Sequence, residues 1–289
     1  MSLHPATRIG AVHLTVSDLD RSVAFYEERL GLGVHRSEGR RAALGAGEEG
    51  LLVLVEEPGA RPAIGATGLY HFALLVPSRA ALARALARLE ETGTPLSGAA
   101  DHGVSEALYL SDPDRNGIEI YRDRPREAWP FEDGELAMTT DPLDLDDLRA
   151  ALDDEDGAGD GRAGVDPGSV IGHVHLHVSR LDPARHFYVD ILGFEVTQRY
   201  GPAALFVSAG GYHHHVGLNT WKGVGAPPPP PGSTGLRHFE LRLHDAAELG
   251  RVRGRLAEAA AAIEERPDGL LVRDPSDNAL LLTTDGAAG

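Results

Sequence analysis

Three consecutive histidines, His213, His214 and His215, stand out in the stretch GGYHHHVGLNTW at residues 210–221. An imidazole can bind a transition metal, and near pH 7 it can also take up or release a proton. The stretch has the pattern of a strand, in which successive side chains point to opposite faces. His213 and His215 would then share one face and His214 the other. This segment alone does not decide whether the histidines form a metal site, carry protons or form a solvated cluster.

The composition limits the metal ligands and the binding partners that the chain could have. The chain has no cysteine, so His, Asp and Glu would have to hold any metal, a ligand set that suits Fe, Mn, Ni or Zn. The net charge of −17 repels nucleic acid and anionic membranes, and no apolar run approaches the ~20 residues of a membrane helix. We expect a small neutral or aromatic substrate and no nucleic-acid or membrane partner. Because MSLHPATR has no charged-then-apolar leader, we also expect a cytoplasmic protein.

The elements that would position such residues occur twice along the chain. IGAVHLTVSDLDRSVAFYEERLGL from Ile9 matches IGHVHLHVSRLDPARHFYVDILGF from Ile171. Two further pairs follow, GLYHFALLV with GLRHFELRL and SDPDRNGIEIY with RDPSDNALLLT. Such internal similarity indicates a duplication.

Each half predicts two units of one strand, one helix and further strands. In the first unit, the alternating residues 9–16 predict a strand, and residues 20–30 predict an amphipathic helix with Asp18 or Asp20 as N-cap and Gly31 at its end. The sequence therefore predicts an α+β fold of four βαβββ modules in two tandem halves. The modules start near Ile9, Tyr70, Ile171 and Arg237.

The halves span residues 1–122 and 169–289, with an acidic, Asp- and Gly-rich segment at residues 123–168 between them. This segment predicts a flexible linker with a short helix within residues 143–152. A second insertion, GVGAPPPPPGSTG, predicts a stiff polyproline loop, which we interpret as a lid or spacer rather than a partner-binding motif.

The whole chain resembles the vicinal oxygen chelate superfamily, which includes glyoxalase I, bleomycin-binding proteins and extradiol ring-cleaving dioxygenases. The catechol-2,3-dioxygenase-like branch is most similar, through GLYHFALLVPSR, VSEALYLSDPDRNGIEIYRDRP, GHVHLHV and SAGGYHHHVGLNTW. The resemblance implies curved mixed sheets around a metal cavity. One such fold hosts several activities, so function depends on the site residues.

The resemblance also implies where metal ligands lie. The family position of the opening ligand falls on His173 in the second half but on Ala11 in the first. The histidine of the HF pairs is His71 or His238, and the closing carboxylate is Glu119, whose duplicated counterpart is Leu281.

Two pairings of the modules remain possible. Pairing within halves leaves both ligand sets incomplete, whereas pairing module 2 with 3 gathers His71, Glu119 and His173 and leaves one inactive site. We favour the second pairing. A shifted site of His13, His71 and Glu119 is the alternative, because His13 lies on the same strand face as Ala11.

Three further residues receive catalytic roles from the resemblance. His215 is the expected acid/base, with His214 as its neighbour, and Tyr109 and His102 are expected to contact substrate or oxygen. His175 and His177 share a face with His173 and would line the cavity. Trp221 and Trp129 could stack on an aromatic ring but are more often packing residues.

The predicted function is an Fe(II)-dependent extradiol dioxygenase that acts on a small aromatic catechol with O₂; Mn, Ni or Zn would suit the same ligands. The alternatives are a divalent-metal glyoxalase-like isomerase or lyase, with a fourth ligand from the histidine triplet, and a metal-free binding protein of the bleomycin-resistance kind. A homo-oligomer is compatible with any of these.

Overall fold

The computed structural model describes residues 2–152 and 164–284. All four modules have the order strand, helix, three strands. The first module contains β1 (Arg8–Val16), α1 (Leu19–Leu30), β2 (Gly33–Glu38), β3 (Arg41–Ala46) and β4 (Glu49–Glu56). After the short strand β5 (Arg61–Pro62), the second contains β6 (Gly68–Leu75), α2 (Arg79–Glu91), β7 (Gly98–Asp101), β8 (Ser105–Ser111) and β9 (Gly117–Asp123).

The segment that joins the halves follows the second module. It contains a 3₁₀ turn (Arg126–Ala128), β10 (Phe131–Glu132), β11 (Glu135–Leu136), β12 (Asp141–Pro142) and α3 (Leu145–Ala150).

The second half repeats the module order. The third module contains β13 (Val170–His177), α4 (Leu181–Arg185) with a π-helical continuation (His186–Leu192), β14 (Glu195–Tyr200), β15 (Ala204–Ser208) and β16 (Val216–Asn219). The fourth contains β17 (Ser233–Leu243), α5 (Ala246–Glu258), β18 (Ile263–Arg266), β19 (Gly269–Arg273) and β20 (Ala279–Thr284). The predicted α+β class with four modules is confirmed. Among the described helices, none is long and apolar enough to cross a bilayer.

Helix α1 shows how local sequence sets the element boundaries. The Asp18 carboxylate accepts a hydrogen bond from the Arg21 backbone N–H, which caps the helix N-terminus. Gly31 ends the helix in the left-handed region with φ of 76°, a conformation that glycine adopts without steric cost. Asp18, rather than Asp20, is therefore the cap.

The modules pair across the halves. Strand β6 of module 2 pairs antiparallel with β13 of module 3, and β1 of module 1 pairs antiparallel with β17 of module 4. Each pair is the centre of a mixed nine-stranded sheet. The pairing of module 2 with 3 that the ligand positions favoured is thus confirmed, and pairing within halves is wrong.

Buried tyrosines connect the two sheets within each half. The Tyr26 hydroxyl on α1 donates to Asp112, at 2.8 Å, in the turn before β9. In the second half, the Tyr188 hydroxyl donates to Asp274, at 3.2 Å, in the turn before β20. Because each tyrosine and its aspartate belong to modules of different sheets, these bonds fix how the sheets pack.

The segment between the halves is more structured than the predicted linker over its described part. Strand β12 pairs with β7 at the edge of the sheet of modules 2 and 3. The predicted helix is present as α3, whose Leu148 side chain is fully buried. The remainder of the predicted linker, residues 153–163, lies outside the described residues.

Candidate metal centre and active site

A cavity of about 1020 Å³ opens between the sheets, and residues of both sheets line it. From the sheet of modules 2 and 3 come His71 on β6 and Glu119 on β9. From the other sheet come Thr15 on β1 and His238 on β17. The histidines of both HF pairs, His71 and His238, therefore line the same cavity.

Strand register brings the three predicted ligands together. On β6, Ala73 lies opposite Glu119 of β9 on one side and opposite His173 of β13 on the other. His71 lies two residues before Ala73 and therefore points to the same face. The small Ala73 side chain leaves room above it for the three ligand side chains.

The ligand atoms have the spacing of a metal site. Glu119 Oε2 lies 3.0 Å from His71 Nε2 and 3.0 Å from His173 Nε2. Two metal–ligand bonds of ~2.1 Å at a right angle end ~3.0 Å apart, so this spacing fits neighbouring positions on one face of an octahedron. In the described part of the chain, these residues form the one group of three or more such side chains close enough to share an ion.

The charge state of the cluster also suits a metal. His173 is 1% exposed, and this burial lowers the pKa of its imidazole to about 4, so the ring is neutral at pH 7. Burial opposes ionisation of Glu119, but the neighbouring His173 and His71 hold the pKa of its carboxyl well below its usual range. Neutral imidazoles and an ionised carboxylate are the protonation states that bind metal.

The hydrogen bonding of His71 also suits a metal. His71 Nε2 is buried and makes no hydrogen bond of good geometry within the described structure, although it lies beside Glu119. A buried, unpaired ring nitrogen is costly, and an ion held between the three side chains would satisfy it. The residues present therefore fit a divalent metal.

His102 and Tyr109 lie beside this cluster, as the resemblance implied, and both line the cavity. His102 Nδ1 donates to the Thr139 carbonyl oxygen at 2.7 Å, and its Nε2 accepts from the Tyr109 hydroxyl at 2.7 Å. The directions follow because a carbonyl oxygen can only accept. Burial, together with the Glu119 charge, raises the pKa of Tyr109 well above its usual range, so its hydroxyl stays protonated.

The histidine triplet differs from the prediction. His213, His214 and His215 lie in the connection between β15 and β16, not in a strand, so the alternation of faces does not apply. Gly210 and Gly211, both with positive φ, turn the chain before the triplet.

His214, rather than His215, reaches the cavity. The His214 ring lies 4.0 Å from that of His173, centroid to centroid, and lines the cavity. His215 points away: its Nδ1 lies 2.9 Å from Ser208 Oγ and accepts from the Ala209 backbone N–H at 3.2 Å. The structure therefore brings His214, the predicted neighbour, to the cavity and leaves His215, the expected acid/base, outside it, because the loop between β15 and β16 turns the two rings in different directions.

His13, the alternative ligand, belongs to the other sheet. Its ring stacks on His238 with centroids 4.0 Å apart, and its Nε2 lies 3.3 Å from Glu240 Oε1. Because β1 pairs with β17 and not with β6, a site of His13, His71 and Glu119 does not form.

Aromatic and imidazole side chains complete the cavity wall. His175 and His177 line it as expected. Trp221, which is 48% exposed, also lines it, with its ring edge-on to Tyr70. Trp129 instead is buried, and its Nε1 donates to the Arg124 carbonyl oxygen, which is a packing role. The polyproline loop contributes Pro229 and Pro230 to the cavity rim.

Comparisons with known proteins identify the family of the chain. A sequence model of the Glyoxalase/Bleomycin resistance protein/Dioxygenase superfamily matches residues 8–120 and 170–280. The chain is 46% identical over 285 residues to a protein of Bacillus subtilis (strain 168) named catechol-2,3-dioxygenase, with 97% of this chain and 98% of that protein covered.

Solved structures share the fold. A putative dioxygenase from Bacillus subtilis superposes with a TM-score of 0.66 and 16% identity over 99% of this chain and 87% of that one. Glyoxalase I from Zea mays superposes with a TM-score of 0.61 and 16% identity over 98% and 94% of the two chains. The chain belongs to the glyoxalase, bleomycin resistance protein and dioxygenase superfamily.

Proposed function

We propose that this protein is an Fe(II)-dependent extradiol dioxygenase that opens the ring of a catechol-type substrate with O₂. The observation that carries the proposal is the cluster of His71, Glu119 and His173, whose ligand atoms all lie within 4.8 Å of one another. The near full-length similarity to a protein named catechol-2,3-dioxygenase supports the same assignment.

Two imidazoles and one carboxylate on one face of an ion are the ligand set of non-haem Fe(II) oxygenases. Fe(II) held by His71, Glu119 and His173 would supply open positions for both catechol oxygens and for O₂. With one carboxylate, a divalent ion leaves the site with a net positive charge, which favours an anionic ligand with two oxygens. Mn, Ni or Zn could occupy the same ligands.

The cavity walls would hold the aromatic ring. Tyr70, Phe206 and Trp221 line the cavity and offer faces and edges for ring packing. The hydrogen-bonded pair of His102 and Tyr109 presents polar groups on the side of Glu119. In this arrangement the apolar wall places the ring, and the pair orients its hydroxyl groups.

His214 would take the proton from a substrate hydroxyl. Burial, with the nearby His173 and His213, lowers the pKa of His214 well below its usual range, so the ring is neutral at pH 7. A neutral imidazole that lines the cavity can act as a general base, and such a group contributes about 10²- to 10⁴-fold to a rate.

Anaerobic titration followed by oxygen tests the proposal. Chain loaded with Fe(II) is titrated with catechol without O₂, and oxygen uptake and product absorbance are then recorded. We expect catechol binding without turnover, then equimolar consumption of O₂ and catechol with formation of a ring-opened product. Turnover of a glyoxalase-type substrate without O₂ would instead support the isomerase, and catechol binding without metal would support a binding protein.

A further inference from the structure

We infer that Asp123 and His213 are positioning residues that fix the proton of His214 on Nδ1 and leave the Nε2 lone pair toward the cavity. The inference deepens the proposed function, in which His214 takes the substrate proton. The neutral His214 ring can carry its proton on either nitrogen. A chain of hydrogen bonds that runs from Asp123 to the cavity selects one of them.

The chain begins at a carboxylate. Asp123 lies at the end of β9, and its Oδ1 lies 2.8 Å from His213 Nε2. Because an ionised carboxylate can only accept, His213 must carry a proton on Nε2. The other oxygen, Oδ2, accepts from the Tyr212 hydroxyl at 2.9 Å. Both carboxylate oxygens of Asp123 therefore accept a hydrogen bond.

The next hydrogen bond joins His213 to His214 and determines which nitrogen of the His214 ring is protonated. His213 Nδ1 and His214 Nδ1 lie 2.8 Å apart. In a neutral His213 with the proton on Nε2, Nδ1 is an acceptor. His214 must then donate from Nδ1, and its Nε2 carries a lone pair. His214 is 8% exposed, and its Nε2 makes no hydrogen bond within the described residues, so this nitrogen is the one open to the cavity.

The surroundings keep His213 in this role. Its side chain is fully buried, with the Tyr212 and Trp129 rings packed against it. The Thr197 hydroxyl donates to its backbone carbonyl at 2.6 Å, which fixes the loop. Tyr121 extends the network, with its hydroxyl 2.7 Å from that of Tyr212. A hydrogen-bonded polar network of this kind favours one arrangement.

Gly172 leaves space for the Tyr121 hydroxyl of this network because it has no side chain. A Cβ atom at this position would lie 1.8 Å from the Tyr121 hydroxyl, so any larger residue would displace Tyr121. Gly172 directly precedes the ligand His173 on β13. The strand that carries a metal ligand therefore also makes room for the network behind His214.

Nitrogen-15 NMR of the histidine rings tests the inference directly. The full chain is labelled at the ring nitrogens, and spectra are recorded with diamagnetic Zn²⁺ and without metal, with the His214 signals assigned from their loss in His214→Gln. We expect His214 with a protonated Nδ1 and an unprotonated Nε2 in the metal-free chain. A protonated Nε2 on a neutral His214 would overturn the inference.

Asp123→Asn adds a second readout. An amide can offer either its oxygen or its NH₂ to His213, so we expect the His214 signals to move toward a mixture of the two tautomers. We also expect kcat for catechol to fall about 10-fold or more with KM within about twofold, because a correctly oriented base acts in the transition state. Unchanged His214 signals in this variant would overturn the inference.

Asp190→Asn is the matched control. Asp190 accepts from His186 Nδ1 at 3.0 Å in an exposed aspartate–histidine pair remote from the cavity. We expect it to leave the His214 signals and kcat unchanged. If the tautomer is as expected but catechol is not cleaved, the proposed function fails while the positioning role stands, because the NMR readout needs no turnover.

Discussion

The two sheets have the same module design, but only the sheet of modules 2 and 3 gathers a complete ligand set. There, His71, Glu119 and His173 converge within 4.8 Å. The corresponding positions in the sheet of modules 1 and 4 are occupied by His238, Leu281 and Ala11. A single imidazole cannot hold a catalytic metal, so the duplication retained the fold twice and the candidate metal centre once.

Other polar groups fill the incomplete site. Glu240 lies opposite Leu281 on the neighbouring strand. One of its carboxylate oxygens lies 3.3 Å from His13 Nε2, and the other accepts from the Ala11 backbone N–H at 3.2 Å. His238 stacks on His13. The comparison teaches that losing one carboxylate and one imidazole leaves a polar cluster in which Glu240 pairs with His13, while the buried His238 Nε2 has no hydrogen-bond partner among the described residues.

The largest expected effect comes from replacing a ligand of the complete site with the residue found at the corresponding position of the incomplete site. Glu119→Leu places at β9 the residue that β20 has at Leu281, and it removes the negative charge that faces two imidazoles. We expect loss of bound metal and a fall in kcat of about 10³-fold or more, since the proposed reaction depends on the metal. Metal analysis and oxygen uptake measure both.

Glu240→Gln is the control for that change, because it removes a carboxylate from the polar cluster of the other sheet. We expect full metal content and unchanged kcat. Retained metal in Glu119→Leu, or lost metal in Glu240→Gln, would contradict the assignment of the two sheets.

The next largest effect on kcat is expected at His214 and not at the neighbouring His215. His214→Gln removes the imidazole that lines the cavity, and we expect kcat to fall about 10²-fold while metal content stays unchanged. His215→Gln alters a ring bonded to Ser208 and Ala209, so we expect lower stability without that loss of kcat. Equal losses of kcat would show that the loop does not place His214 as the base.

A smaller effect is expected at the pair beside Glu119. Tyr109→Phe removes the hydroxyl that donates to His102 Nε2 and leaves that nitrogen without its donor. Without this bond the His102 ring loses a contact that fixes its orientation in the cavity, so we expect kcat/KM for catechol to fall about 10-fold, which corresponds to about 1.4 kcal/mol. Unchanged kcat/KM with an intact fold would place the pair outside the reaction.

The smallest effect concerns stability in the incomplete site. Burial, together with His13, lowers the pKa of His238 to about 3 from its usual 6.5. Between these values the unfolded chain binds the proton and the folded chain does not, so the free energy of unfolding falls as the pH drops through this range.

His238→Gln removes this contribution. We expect the free energy of unfolding to depend less steeply on pH between 6 and 4, by at most about 1.4 kcal/mol per pH unit. Urea unfolding of the variant and the unaltered chain at several pH values measures the difference. Parallel pH dependences would show that His238 titrates normally in the folded state.

The sequence could predict features that rest on local spacing. The cap at Asp18, the stop at Gly31 and the duplication follow from residue types at fixed intervals, and motif positions indicated the three ligands. The ligands also predicted the pairing of modules 2 and 3, because only that contact makes a complete set.

The histidine triplet shows where such prediction ends. The stretch GGYHHHVGLNTW predicts a strand through the triplet, but Gly210 and Gly211, both with positive φ, turn the chain first. This glycine pair was the signal in the sequence that could have indicated a loop. The contact of Asp123 with His213 joins residues 90 positions apart, which no local pattern encodes.

The most direct test of the account is the metal stoichiometry of the purified, metal-stripped chain, titrated with Fe(II) without oxygen. We predict one tightly bound equivalent per chain, absent in Glu119→Leu and present in Glu240→Gln. Two equivalents per chain, or one equivalent that survives Glu119→Leu, would contradict the claim that one sheet holds the metal and the other has lost it.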